Sequence, residues 1–383
     1  MRILLVHNTY QQPGGEDEVV RTEQRLLEER GHRVLQFSRH NDEIDRMSAL
    51  EVAGTTLWSR ATRRDLGRLL RAERPEVVHF HNTFPLISPS AYYAVRDEGT
   101  PIVQTLHNYR LVCSNAQLFR DGGPCEDCIG RKLPWPGVLH ACYRDDRAAS
   151  AVVVAMLGLH RALGTWSRLV GRYIALTDFA RVKFIEGGLP PDRIAVKPNF
   201  LHPDPGAGPG GGGFVLYVGR LSEEKGIDTL LRAWEVVEDP PLRIVGDGPL
   251  APLVREAVSR ARGVRWLGRQ TQDEVQRLLG EARCLIVPSR WYEGFPRVVV
   301  EAFARGTPVV ASRLGGLAEI VEDGRTGRLF RPGDPDDLLS AVRAIDRDGA
   351  SMRPRVRAEF EARYTADVSY RTLMRIYAEA REA

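Results

Sequence analysis

The sequence predicts an α/β protein built of two doubly wound domains joined by a hinge. Short apolar runs that read as strands alternate with helical stretches, the rhythm of a parallel sheet covered by helices on both faces. That rhythm stops once, at "NFLHPDPGAGPGGGG" (199–213), where Pro and Gly are too dense for a helix or an interior strand, and then starts again. At 383 residues the chain is also too long for one ordinary core.

In the first half the strands are "RILLVH", "HRVLQF", "EVVHFH", "IVQTLH", "RYIALT" and "IAVKP". Between the first two, "EDEVVRTEQRLLEERGH" is an amphipathic helix that stops at Gly31. A long stretch from Tyr109 to about Trp166 interrupts the order and carries four cysteines and the apolar helix "RAASAVVVAMLGLHRALGTW". Residues 1–198 thus form a first domain with an insertion at 109–166, and 199–213 form the linker. Residues 214–365 form a second domain, with strands "FVLYVG", "LRIVG", "VRWLG", "CLIVPS", "PVVAS" and "GRLF". The last segment, 366–383, is a helix free to pack back on the first domain. Ligands of such sheets bind beyond the carboxyl ends of the strands, and a ligand held between two of them sits in a cleft that can close.

Composition is that of a soluble globular chain, 43% hydrophobic and 27% charged. The net charge of +4 suits an anionic small ligand or an anionic membrane surface and gives little support to nucleic acid as a partner. The opening "MRILLVHNTY" reads as a strand and not as a signal peptide, and "AVVVAMLGL" is well short of the ~20 residues that span a bilayer. The expected place is the cytoplasm, with "KLPWPGVLH" and the apolar helix after it either touching the inner face of the membrane or packing within the insertion. Cys125 and Cys128 form a C-x2-C pair, and with Cys113 and Cys142 they suggest a structural zinc site, His107 or His140 standing in for one thiolate. The alternative is a set of reduced thiols, and Cys284 reads as a core thiol.

The second domain carries most of the chemistry. In "FVLYVGRLSEEKGIDTLLRAW" a strand runs through Gly219 into a loop with Arg220 and Lys225, then a helix. Two cations beside a helix N-terminus suit a dianion such as a diphosphate, unless they pair with Glu223 and Glu224. "LRIVGDGPL" ends in a turn whose Gly246 and Gly248 allow close backbone approach, by a ligand or simply within the turn. "VRWLGRQTQDEVQRLL" adds a third strand, loop and helix on the same rim, with Thr271 as N-cap. "WYEGFPRVVVEAFARGTPVVAS" then holds two acids. Glu293 lies in a loop at a strand end, and Glu301 lies in the following helix, where Arg297 is its i,i+4 neighbour. The loop amides from Gly294 through Phe295 and Pro296 to Arg297 point to that rim.

Together these stretches resemble the second domain of a retaining glycosyltransferase of the GT-B fold, in glycosyltransferase family 4. The match rests on an E-x7-E motif at Glu293 and Glu301, a "GRL…EKG" segment at Arg220 and Lys225, a "GDGP" turn at Gly246–Pro249 and "GTPVVAS" at Gly306–Ser312. It is close from Phe214 to Leu339 and looser in the first domain. The resemblance implies two Rossmann-like domains facing each other across a cleft. It also implies a nucleotide-diphosphate sugar donor, UDP- or GDP-linked, and a carbohydrate or lipid-linked acceptor. Arg220 and Lys225 would hold the diphosphate and stabilise its charge as it leaves. Glu301 would bind ribose hydroxyls, Glu293 hydroxyls of the transferred sugar, and Gly294–Arg297 the sugar and phosphate. Gly14 and Gly15 resemble the family's Gly-Gly loop, and His107 ends a strand where the family places a histidine near the reacting carbon. His79 and His81 would face the acceptor. Transfer would be front-face, the leaving diphosphate helping to deprotonate the acceptor, without a catalytic metal. "DPD" at 334–336 follows "RPG" and precedes "DLLSAVRAI", so it reads as a helix start and not as a metal-binding DxD, and "DRD" at 346–348 reads as an exposed helix end. The expected setting is surface polysaccharide or glycoconjugate synthesis. A sugar-nucleotide epimerase of the same fold and a non-catalytic nucleotide-sugar binder are the alternatives.

Overall fold

The structure, a computed structural model, describes all residues except 12, 13, 236 and 383. It divides into two compact units, one of Met1–Leu118, Glu126–Pro198 and Ser369–Ala383, the other of Phe119–Cys125 and Asn199–Val368.

The first unit holds a parallel sheet in the order β2-β1-β3-β4-β7-β8. Its strands are β1 (Arg2–Thr9), β2 (Arg33–His40), β3 (Val77–Phe80), β4 (Ile102–Leu106), β7 (Arg172–Ala175) and β8 (Ile194–Val196). Every expected strand of this half is present. β3 and β4 are buried along their whole length, as central strands covered on both faces must be, which is why they read as unbroken apolar runs. The helix Gly15–Glu29 buries Val19, Val20, Leu26 and Leu27 against the sheet. The terminal helix, Ala366–Glu382, adds Leu373, Ile376, Tyr377 and Ala380 to a core with Ile3, Leu5, Val77, Val103 and Ile174. That i, i+3, i+4, i+7 stripe is one helix face.

The second unit holds a parallel sheet in the order β11-β10-β9-β12-β13-β14. The strands are β9 (Val215–Val218), β10 (Leu242–Val245), β11 (Val264–Trp266), β12 (Cys284–Val287), β13 (Val309–Ser312) and β14 (Gly327–Phe330). Again each expected run is a strand. The chain winds outward from β9 through β10 to β11, then returns to the other side of β9 at β12. That reversal is a topological switch point, where loops diverge and leave a crevice.

Three details differ from expectation. A short antiparallel hairpin, β5 (Phe119–Arg120) with β6 (Gly123–Pro124), groups with the second unit; two-residue strands carry no readable period. "DRD" is no helix end. It lies within one helix, Pro335–Arg363, where Asp346 meets Arg283 at 3.0 Å and Asp348 meets Arg328 at 2.5 Å. Asp334 does start that helix, accepting the Asp336 and Asp337 amides at 3.1 and 3.0 Å. Third, the four cysteines Cys113, Cys125, Cys128 and Cys142 do not gather into a metal-binding set among the described residues. The Cys113 thiol donates to Asn115 Oδ1 at 2.9 Å, Cys128 faces the Pro134 carbonyl at 3.8 Å, and Cys125 groups with the other unit. Among the described residues no helix is long and apolar enough to cross a membrane.

Candidate functional site

In the second unit the loops after β9, β10, β11 and β12 are stitched to one another at the carboxyl ends of the strands. Leu221 N–H donates to Asp247 O at 3.0 Å, Gly246 N–H to Gly268 O at 2.8 Å, and Arg290 N–H to Glu224 O at 2.8 Å. The loop after β9 meets the loop after β12 because Gly226 stands against Pro288. Gly226 has φ +69°, and a Cβ there would lie 1.9 Å from the Pro288 carbonyl oxygen. Gly226→Ala should therefore cost about 2–3 kcal/mol, combining left-handed strain with a backbone clash. A urea titration checks it, and an unchanged midpoint would remove this account of the "EKG" glycine. At Gly246, φ +131°, the close approach is likewise to the protein itself, the Gly219 carbonyl 1.9 Å from a built Cβ.

This contact delivers Lys225 to Glu293. The lysine Nζ donates to both carboxylate oxygens, at 2.8 and 2.9 Å, and Ser289 Oγ donates to one of them at 2.5 Å. Lys225 also lies 5.1 Å from the centre of the Trp291 ring, a cation–π distance. Of the two local acids, Glu224 is engaged elsewhere, accepting from Ser222 Oγ at 2.5 Å. Glu293 is only 4% exposed, so its charge depends on those two donors. Arg220 is exposed, with no ion pair among the described residues, and its carbonyl accepts the Tyr217 hydroxyl at 2.8 Å. Burial, with Glu293 and Glu224 nearby, pushes the Tyr217 phenol up, so it stays a donor.

Glu301 lies four residues into the helix Arg297–Ala304, just over one turn, and is buried. It accepts from Gln272 Nε2 at 3.1 Å and faces Arg297 Nη2 at 3.6 Å. Gln272 had no signal in the sequence. It is brought there by Thr271, which caps the helix after β11 by accepting the Glu274 amide at 3.3 Å. Two expected roles in the intervening loop change. Pro296 is the N-cap and has no N–H, so only Gly294, Phe295 and Arg297 have amides to offer. The Phe295 ring packs towards Tyr364, 6.1 Å between centroids, as part of the core.

In the first unit, the loop after β1 is tied to its helix by Asp17. This carboxylate takes His7 Nε2 at 2.8 Å, the Gly14 amide at 2.8 Å and the Tyr10 amide at 3.4 Å. Burial alone would raise its pKa; the hydrogen bonds from His7 and Gly14 outweigh that and hold it below the usual value. Gly14 and Gly15 are exposed at the start of that helix. Glu16, next in line, accepts from Tyr10 OH at 2.9 Å and Asn108 Nδ2 at 2.7 Å, and burial raises its pKa. His107, at the end of β4, meets His81 Nδ1 through Nε2 at 2.9 Å. His79 and His81 do not face outward. Both are buried, with Glu23, on the sheet face towards the helix Gly15–Glu29. These three are the one cluster with metal-capable atoms within 4.8 Å of one another among the described residues.

Residues 213–348 match the family described as glycosyl transferases group 1, and residues 13–204 match glycosyltransferase family 4. A D-inositol 3-phosphate glycosyltransferase of Nocardioides sp. is 34% identical over 361 residues, 82% of this chain and 72% of that one. A glycogen synthase of Mycobacterium tuberculosis is 28% identical over 79% of this chain and 67% of its own. Among solved structures, Anabaena HepE in complex with UDP superposes with TM-score 0.68 at 16% identity, covering 99% of this chain and 100% of its own. A sucrose-phosphate synthase of Thermosynechococcus elongatus gives TM-score 0.70 at 18% identity, over 99% and 98%.

Proposed function

The chain belongs to the group 1, family 4 glycosyltransferases of the GT-B fold, and we propose that it moves a hexosyl group, with retention of configuration, from a UDP- or GDP-linked sugar to an acceptor hydroxyl. The observation that carries this is the pair of acids at the switch-point rim. One is bound to Lys225 beside exposed Arg220, the other to Gln272 and Arg297. On this reading Arg220 and Lys225 hold the diphosphate and stabilise its departure. Glu301 takes the ribose, Glu293 the sugar hydroxyls, and the amides of Gly294, Phe295 and Arg297 the sugar and phosphate. His107, Gly14 and Gly15 serve the reacting sugar and the acceptor. The leaving diphosphate helps deprotonate the acceptor hydroxyl, which separates this chemistry from the two-carboxylate route of glycosidases.

Thermal melts with UDP, GDP, ADP and TDP test the donor site. UDP is the first choice, because the HepE neighbour was solved with it. A nucleotide at ~100 times its dissociation constant should add about 2.7 kcal/mol of stability. Glu301→Ala should lose most of that gain. Stabilisation by no nucleotide would overturn the reading; acceptor-independent turnover would instead favour an epimerase.

The acceptor side favours a molecule with an apolar part, for surface polysaccharide or glycoconjugate synthesis at the cytoplasmic membrane face. A groove of about 510 Å³ in the first unit is lined by Ile44, Met47, Leu50, Phe84, Tyr143 and Val152. Leu133, Trp135 and Leu139, about half exposed, stand beside Arg131 and Lys132, a combination suited to an anionic lipid surface. Co-sedimentation with phosphatidylglycerol vesicles, weakened by Trp135→Ser, is expected; equal binding of both proteins would count against it.

A further inference from the structure

Beneath His107 lies a buried polar array that the proposed reaction does not itself call for. Glu23, on the helix Gly15–Glu29, is 1% exposed. Its Oε2 faces Lys197 Nζ at 3.2 Å, and its Oε1 faces His79 Nδ1 at 3.1 Å and His81 Nε2 at 3.4 Å. His81 Nδ1 then meets His107 Nε2 at 2.9 Å, the two rings stacked 5.2 Å apart. His79 is held on both nitrogens, by Tyr377 OH and Thr105 Oγ1, each at 2.8 Å. Six of the seven residues are under 5% exposed, yet their polar atoms point at one another and not at helix ends or turns.

The direction of the His81–His107 hydrogen bond follows from one charge. Burial would raise the Glu23 pKa, but Lys197 and His79 facing it hold it well below the usual range. The ionised carboxylate can only accept, and its Oε1 lies 3.4 Å from His81 Nε2, a charge contact outside hydrogen-bond geometry that favours a proton on Nε2 over a lone pair facing the carboxylate. Burial, reinforced by His79, lowers the His81 pKa to about 3, so that ring is neutral and Nδ1 is a lone pair. His107 must then donate from Nε2. Burial first, then His81, holds its pKa well down too, leaving Nδ1 as a lone pair with no partner among the described residues.

We propose that Glu23 and His81 are positioning residues: through the chain Glu23–His81–His107 they fix one tautomer of His107, so that its Nδ1 is presented as a hydrogen-bond acceptor to the reacting sugar. The role of that acceptor rests on the transferase reading above; the tautomer does not. A metal ion at Glu23, His79 and His81 is the competing use of these atoms. It is disfavoured because the Lys197 ammonium already faces the carboxylate and both nitrogens of His79 are engaged.

The test is a long-range proton–nitrogen spectrum of the full chain carrying 15N-histidine, recorded from pH 5.5 to 8. The titratable groups facing the array are Glu23, His79, Lys197, Tyr377 and His7, whose ring is 6.3 Å from that of His81. His81 and His107 should both appear as neutral Nε2–H tautomers that do not titrate in that window. His81→Phe and Glu23→Gln should give His107 mixed tautomers and lower kcat roughly 10- to 100-fold, with donor KM within about twofold. His81→Asn, whose side-chain oxygen can accept from His107 Nε2, should restore much of both. A wild-type His107 that is protonated on Nδ1, or that titrates, overturns the proposal, as does stoichiometric zinc on Glu23, His79 and His81. If the wild type turns over no donor, the transferase reading falls while the spectrum still decides the array. Melting curves of each variant separate a folding failure from a positioning effect.

Discussion

Lys225→Met should lower the transfer rate by roughly 10²- to 10³-fold, the effect expected for removing a charge aimed at a leaving group. A second effect must be separated from it. Lys225 holds both oxygens of Glu293, which is 4% exposed. Without the lysine that carboxylate keeps only Ser289 among the described residues, and an uncompensated buried charge costs about 3 kcal/mol, somewhat less here because the lysine is a quarter exposed. The double variant Lys225→Met, Glu293→Gln removes the stranded charge. Its melting temperature should return most of the way to wild type while its rate stays at or below that of the single variant, since the Glu293 carboxylate on the sugar is lost as well. Rates and melting curves of the three proteins decide the matter. A double variant that regains transfer would show that Lys225 matters only as the partner of Glu293.

Acid should destabilise the first unit well before carboxylates in general protonate. His81 in the folded chain has a pKa of about 3 and His107 lies well below its ordinary value, in both cases chiefly through burial. Unfolding releases both to near 6.5. Below that pH the unfolded chain binds protons that the native chain refuses, so stability falls as pH falls. The slope is about 1.4 kcal/mol per pH unit for each histidine, running from pH 6.5 towards 3. Asp17, held low, adds loss in the same direction below pH 4. Glu16 opposes it: its raised pKa favours the folded state as pH falls through that value. Urea midpoints at pH 7.5, 6.5, 5.5 and 4.5 should therefore drop steadily, and His81→Asn should flatten the profile. A wild-type profile flat to pH 5 would contradict the neutral histidines.

The central strands β3, β4, β12 and β13 were legible because a parallel strand buried on both faces leaves an unbroken apolar run, and the more exposed strands at the sheet edges followed from the alternation with helices. The motif at Glu293 and Glu301 was legible because both residues lie in one strand–loop–helix unit, where spacing maps directly onto position. Partners from other units were not. Gln272 reaches Glu301 across 29 residues of sequence, Lys225 reaches Glu293 across 68, and Tyr377 reaches His79 across 298. The histidines of "VVHFHNTF" show the limit most clearly. Their alternation places His79 and His81 on one face of β3, but nothing local says whether that face looks to a ligand or to Glu23.

The sequence by itself determined the two doubly wound sheets, the family, and the rim on which Arg220, Lys225, Glu293 and Glu301 stand, because these follow from period, turn chemistry and order along the chain. Only the tertiary structure decided which charges meet. It set Lys225 on Glu293 by pressing Gly226 against Pro288, and buried Glu23 with Lys197 beneath His107. The physical reason is that an ion pair or a histidine tautomer depends on distance and burial, and both are set by segments far apart in the chain.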